Sequence, residues 1–259
     1  MAFSEYIAIG DSMSIDLYPA LDLGETDVAV ALERVVQAGA IAPVGAASLL
    51  HTNDVDRWPD FAGDDLVSRY PGITLTNLCV DGATIGDVFS EQMLELEESE
   101  AETLITVTVG GNDLLSAFSS HRRKPIMSSI VRDITQAYEY LVTELARLRP
   151  RAEILVTTVY DPSDGTGLMP GVFEDAGPLP LEHLDRLNDH IRDLAQRTPE
   201  VRLADVHRHF LGHGVTAPDA ERWYWRRSLI EPSALGASEI RRVWTESLSF
   251  EPTSRRAAL

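Results

Sequence analysis

Thr103-Leu-Ile-Thr-Val-Thr-Val109-Gly110-Gly111-Asn112-Asp113 is the stretch that decides the fold. Its first seven residues are uncharged and of high β-propensity, so they read as a strand, and the two glycines that follow close it. Asn112 and Asp113 then place polar side chains at the strand's carboxyl end. The same sequence pattern occurs earlier, where Tyr6-Ile-Ala-Ile9 ends at Gly10-Asp11-Ser12. Residues 73–80 read as a buried strand running into Asp81-Gly82, residues 154–159 as the next strand, and residues 201–203 as a short fifth.

Helical patterns lie between these strands. Residues 61–70 stop at Pro71-Gly72, and a second helix is expected from residue 85 to about 98. Residues 126–148 carry Ile130, Ile134, Ala137, Leu141 and Leu145 at helical spacing, with Pro150 just beyond. Further helices are expected from 181 to about 197, and from Ser233 to about 247. Asp27 to Arg34, within the ambiguous segment 21–52, fits helix and strand equally. Residues 160–180, rich in Gly, Pro and Asp, read as a long surface loop near a working site. Alternation of this kind predicts an α/β fold, a mostly parallel sheet of about five strands between two helical layers. Ligands in such folds bind beyond the carboxyl ends of the strands, which makes Gly10-Asp11-Ser12, Asp81-Gly82, Gly110 to Asp113 and Tyr160-Asp161 neighbours in space. One domain is expected over residues 1–250, with 251–259 a frayed tail.

Composition narrows the partners. The chain of 259 residues holds 41 acids against 22 bases, a formal charge of −19. A chain-wide basic stripe that would neutralise phosphates is absent, so nucleic acid is not an expected partner. Residues 1–130 carry a net −15, whereas the segment from 201 onward has 7 acids and 9 bases. Lys124 is the sole lysine, so the positive charge is almost all arginine. No apolar run is long enough to span a bilayer, no secretory leader is evident at the N-terminus, and Cys79 has no cysteine partner. A cytoplasmic location is the expectation. The acidic run from Glu91 to Glu102 is read as a solvated helix face.

Three strand-end motifs carry the chemistry. Ser12 follows the first strand, where a serine can expose its hydroxyl at the sheet rim or cap a helix. Gly82 allows close backbone approach to a ligand, and Asn112 brings a side-chain amide to the end of the strongest strand. In this order, Gly10-Asp11-Ser12, Asn77 to Thr84 and Gly110-Gly-Asn112-Asp113, the chain resembles the SGNH or GDSL-like hydrolases. The resemblance implies the flavodoxin-like three-layer α/β/α fold of that family and a small-molecule carboxylic ester as substrate. No cofactor is expected, and no metal, because the spacing of His207, His209 and His213 fits no zinc pattern. The resemblance also implies Ser12 as nucleophile, with the Ser12 and Gly82 amides and the Asn112 side chain holding the oxyanion.

The family's late Asp-x-x-His-Pro block is altered. Here the chain reads Ser228-Leu-Ile-Glu231-Pro232-Ser233-Ala-Leu-Gly236, so Ser228 stands for the aspartate and Glu231 for the histidine. Histidine suits the role because it exchanges a proton near neutral pH, whereas an exposed glutamate is a weaker base. Three readings are compatible with the change. Glu231 acts as base in a dry pocket that raises its pKa, unless Arg226, Arg227, Arg241 or Arg242 lowers it again. A histidine from His207, His209 or His213 enters the site instead, with His213, between two glycines, preferred. Or hydrolysis is lost, and the pocket binds an acylated or carbohydrate ligand. Trp223-Tyr224-Trp225 offers flat surfaces for a sugar or acyl chain, or for the core. His51 to Pro59 either covers the site or caps the following helix.

Overall fold

The computed structural model describes residues 2–24, 43–120, 124–169 and 177–248. Five parallel strands, β1 (Glu5–Gly10), β2 (Thr74–Asn77), β3 (Thr103–Thr108), β4 (Ala152–Thr157) and β5 (Val201–Ala204), form one sheet in the order β2-β1-β3-β4-β5. From β1 the chain first crosses to β2 on one side and then to β3 on the other. That reversal opens a crevice at the carboxyl ends of β1 and β3. Both motifs that follow these strands therefore face the same rim.

Alternation along the strands builds two cores. Tyr6 and Ala8 of β1 and Leu104 of β3 face one side, with α2 (Ala46–His51), α3 (Leu66–Arg69) and α9 (Ala234–Ser247) laid over it, so that Leu50, Leu66, Ile240 and Trp244 share their cluster. Ile7 and Ile9 with Ile105 and Val107 face the other side, covered by α4 (Ile85–Ser90), α6 (Lys124–Leu148) and α7 (Leu181–Arg197) through Val88, Leu141 and Ile191. Thr106 and Thr108 of β3 fall on the first face and are not left unpaired. Thr106 Oγ1 lies 3.0 Å from the Tyr6 hydroxyl, and Thr108 Oγ1 lies 2.7 Å from the Ser14 hydroxyl.

Boundaries differ from the sequence expectation in three places. Residues 73–80 pair only over β2, which is an exposed edge strand, not a buried one. The helix expected over 61–70 is a 3₁₀ turn at Pro59–Phe61 followed by α3, divided at Gly63, whose φ of +83° is left-handed. The helix expected over 85–98 stops at Ser90, and Gln92–Glu95 is a 3₁₀ turn, so the acidic run is not a helix face. Its Gln92 points inward, with consequences for the site. Asp27 to Arg34 and the tail 251–259 lie outside the described residues. Ahead of that gap, α1 covers Leu17–Asp22.

Candidate active site

Gly10 ends β1 at a φ of +138°, and a Cβ there would meet the Thr108 carbonyl oxygen at 1.9 Å. Only glycine permits this close approach of β1 to β3, after which the Asp11 amide donates to that same carbonyl at 2.7 Å. The turn thereby delivers Ser12 to the crevice. A second support comes from Gln92, whose side-chain oxygen accepts from the Gly10 amide at 2.9 Å while its amide donates to the Gly10 carbonyl at 2.8 Å. Asn188 of α7 makes the same two-way pairing with Val159, beyond the end of β4, with both bonds at 2.8 Å.

Ser12 is only 7 % exposed. It lines a pocket of about 110 Å³ together with Asn112 and Glu231. Glu231 reaches it from β7 (Ser228–Pro232), which pairs with β6 (Tyr224–Trp225) as a hairpin separate from the main sheet. The Tyr160 hydroxyl donates to the Ile230 carbonyl at 2.7 Å, fastening the hairpin beside the end of β4. Ser233 then caps α9 by accepting from the Gly236 amide at 3.1 Å, the start read from the sequence.

The Glu231 carboxyl shares the pocket lining with Ser12 and is itself 7 % exposed. Burial raises its pKa from 4.5 to about 7, against the lowering influence of the nearby Ser12 hydroxyl, and the negative charge of Asp81 adds to the rise. Its Oε2 atom finds no hydrogen-bond partner among the described residues. The neighbouring arginines do not offset this. Arg241 is buried, donating to Asn53 Oδ1 at 2.6 Å and to the Ser238 hydroxyl, while its guanidinium carbon sits 3.5 Å from the centre of the Phe61 ring. Arg242 is held by Glu239 at 3.0 Å. Asn53 and Trp58, from the polar segment 51–59, thus support Arg241, the Trp58 ring lying 5.9 Å from its guanidinium.

More carboxyls surround the serine. Asp11 is 3 % exposed and its pKa is held well above the usual range, first by burial and then by the charges of Glu231 and Asp113. Asp113 is raised to about 6, chiefly by burial, although it accepts from the Ile85 amide at 3.1 Å. The Tyr18 hydroxyl donates to Asp81 at 2.9 Å, and the Tyr18 ring leans on Trp225 at 5.6 Å.

Asn112 opens α5 (Gly111–Ser120) and donates one amide hydrogen to the Ala83 carbonyl at 3.1 Å, which ties the β3 rim to the turn after β2. An amide has two such hydrogens, so a second remains for a ligand. Gly82 occupies that turn at a φ of +72° and is exposed; it does not line the pocket. His213 is also remote from the pocket lining, stacked on Trp223 at 3.6 Å with Nδ1 against the Glu221 carbonyl. His209 pairs with Glu239 at 2.8 Å, and His207 does not line the pocket. Among the described histidines only His183 of α7 does so, buried in the wall. The described part of the 160–180 loop supplies another section of wall through Tyr160, Asp161 and Met169, all buried. Among the described residues no cluster of His, Cys, Asp or Glu could hold a metal, and no helix is long and apolar enough to cross a membrane.

Residues 35–237 match the GDSL-like Lipase/Acylhydrolase family, more than half of the chain. The chain belongs to that family. The match begins after Ser12, so the first motif of this GDSL-like protein rests on its own residues and geometry. Solved structures share the fold. A lipase from Streptomyces rimosus is 17% identical with a TM-score of 0.59, covering 94% of this chain and 99% of its own. A phospholipase A1 from Streptomyces albidoflavus is 19% identical with a TM-score of 0.60, covering 95% and 100%. An acetylxylan esterase from Geobacillus stearothermophilus is 17% identical with a TM-score of 0.60, covering 96% of each chain. No curated protein sequence matches the chain.

Proposed function

We propose that this GDSL-like protein is a serine ester hydrolase in which Glu231 takes the place of the family's histidine base. The observation that carries the reading is the meeting of Ser12 with a buried carboxyl in one pocket lining, a carboxyl that burial raises to about 7. A base poised near the working pH is half ionised there and both accepts and returns a proton efficiently. Ser12 Oγ attacks the ester carbonyl as its proton passes to the Glu231 carboxylate. The tetrahedral oxyanion is held by the Ser12 amide and the free hydrogen of Asn112 Nδ2. Collapse of the intermediate breaks the carbon–oxygen bond to the alcohol, which leaves with the proton from Glu231. Water then attacks the acyl-enzyme, giving a proton to Glu231; the bond between the acyl carbon and Ser12 Oγ breaks, Glu231 passes the proton to Ser12 Oγ, and the acid is released.

Asp81 serves the base from a distance. A carboxylate beside other carboxylates gives up its charge more readily, which keeps Glu231 from becoming the inert anion an exposed glutamate would be. Among the described residues His183 is the histidine with a place in the pocket, and Glu231 is preferred because its carboxyl is raised into the neutral range and stands where the family's histidine would.

Treatment with a fluorophosphonate, followed by peptide mass mapping, tests the nucleophile: labelling is expected at Ser12 and lost in Ser12→Ala. For the base, Glu231→Gln should lose at least about 1,000-fold in kcat for ester hydrolysis, as removal of an essential triad member does. His183→Gln should stay within a few-fold of wild type. Protein that resists the probe at every pH from neutral to alkaline would instead support ligand binding without turnover.

A further inference from the structure

The pocket beside Ser12 extends well past the reacting atoms. Beyond the serine it is extended by an apolar wall of Leu114, Leu115 and Phe118 of α5, Met127 of α6, and Leu181 and Leu184 of α7. Ser12, Asn112 and Glu231 line the same pocket, with His183 in its wall. Of the other carboxyls in the wall, Asp11 accepts from the Met13 amide at 3.1 Å, and Asp161 accepts from Ser163 and from the Gly165 amide at 2.7 Å. They are occupied within their own turns.

We propose that this extension is an acyl-chain site for an unbranched saturated chain of about six to ten carbons, so that medium-chain esters, not acetyl esters, are the substrates. The proposal rests on the reading of Ser12 as nucleophile, because that reading fixes the acyl carbon at the mouth of the pocket. A volume of about 110 Å³ has room for several groups of water size, each needing roughly 10–15 Å³. An acetyl group would fill only the mouth and leave the leucines of α5 facing water. Leu114 and Leu115 are half-buried, as expected of side chains that a ligand has still to cover. Each methylene that enters removes apolar surface worth at most about fourfold in kcat/KM.

The distinction separates two kinds of structural relative, a lipase and a phospholipase on one side and an acetylxylan esterase on the other. The apolar lining of this chain carries the distinction, since likeness at this level of identity conveys only the fold.

A series of para-nitrophenyl esters from acetyl through butyryl and octanoyl to palmitoyl tests it. We expect kcat/KM for octanoyl to exceed that for acetyl at least tenfold and to fall again at palmitoyl. Leu115→Trp, which places an indole in the extension, should reduce the octanoyl-to-acetyl ratio at least tenfold. Acetyl hydrolysed as well as or better than octanoyl overturns the acyl site and leaves the hydrolase reading standing. If no ester is turned over, the hydrolase reading fails, and titration calorimetry with decanoate decides the pocket. Binding that Leu115→Trp weakens at least tenfold retains it, and no binding to the wild-type protein overturns it.

Discussion

Replacing Glu231 by glutamine should stabilise the protein at alkaline pH while destroying its activity. In the folded chain the Glu231 carboxyl holds its proton up to about pH 7, whereas its ordinary value is 4.5. Below 4.5 both folded and unfolded chains keep the proton, and the residue contributes nothing to the pH dependence. Between 4.5 and 7 the unfolded chain releases it and the folded chain does not, so stability declines as pH rises. Above 7 the folded protein carries a charge inside a site 7 % exposed, and the cost is complete. A shift of this size corresponds to about 3 kcal/mol at about 1.36 kcal/mol per pKa unit, to be taken as an order of magnitude. Glutamine has nearly the same shape and no charge. Urea unfolding at pH 8.5 should therefore show Glu231→Gln more stable than wild type by about 1–3 kcal/mol, with the difference mostly gone at pH 4.5. For a chain of this size that corresponds to a rise in melting temperature of several degrees at the higher pH. Equal or lower stability of the variant at pH 8.5 would refute the argument that burial, and not a neighbouring arginine, sets this carboxyl.

The same carboxyl shapes the rate. Because the base must be ionised to accept the serine proton, kcat/KM for a neutral ester should climb about tenfold per pH unit below 7 and level off above it; a plateau already reached at pH 5 would exclude Glu231. Asp81→Asn removes a charge that raises the Glu231 pKa, so the midpoint of that profile should move to lower pH, and a midpoint that stays or rises contradicts the coupling. Asn112→Ala should lower kcat by roughly 100 to 1,000-fold with KM within a few-fold, the signature of a donor used in the transition state. Arg241→Ala leaves Asn53 Oδ1 and the Ser238 hydroxyl without their buried partner and empties the space beside Phe61, so a loss of about 3 kcal/mol is expected in urea unfolding.

How far the sequence could be read depended on whether a feature was local. β3 and the turn at Gly110-Gly111 are specified by adjacent residues, and both stand where propensity puts them. So does α7, whose ends at Leu181 and Arg197 follow its apolar spacing. The strand at 73–80 was read as buried because its composition is apolar, yet its place at the sheet edge is a property of the strand order, which no single segment carries. The helix at 85–98 failed because Gln92 has its best partner in Gly10, a residue 82 positions away. Ser12, Asn112 and Glu231 are brought to one pocket as their motifs implied, while Gly82 is left outside its lining. The arginines close to Glu231 in sequence gave a misleading warning, since helix and hairpin geometry commits Arg241 to Asn53 and Arg242 to Glu239. His183, the pocket's histidine, lies at the start of a helix with no motif around it, and only its position in space marks it out.

The paired amides of Gln92 and Asn188 bear on how the site behaves as acidity changes. Each side chain offers one donor and one acceptor to a single backbone position, as a neighbouring strand would, and so adds a rung where the sheet has run out. A carboxylate in either position could accept but not donate, and in a chain of charge −19 it would add one more anion close to the serine. A carboxamide carries no titrating proton. The scaffold around Ser12 is therefore insensitive to pH even though Asp11, Asp113 and Glu231, which it surrounds, change charge across the neutral range or resist doing so. Chemistry and architecture are thereby uncoupled at this rim, and a change of activity with pH reads the protons of the carboxyls, not a deformation of the frame that holds them.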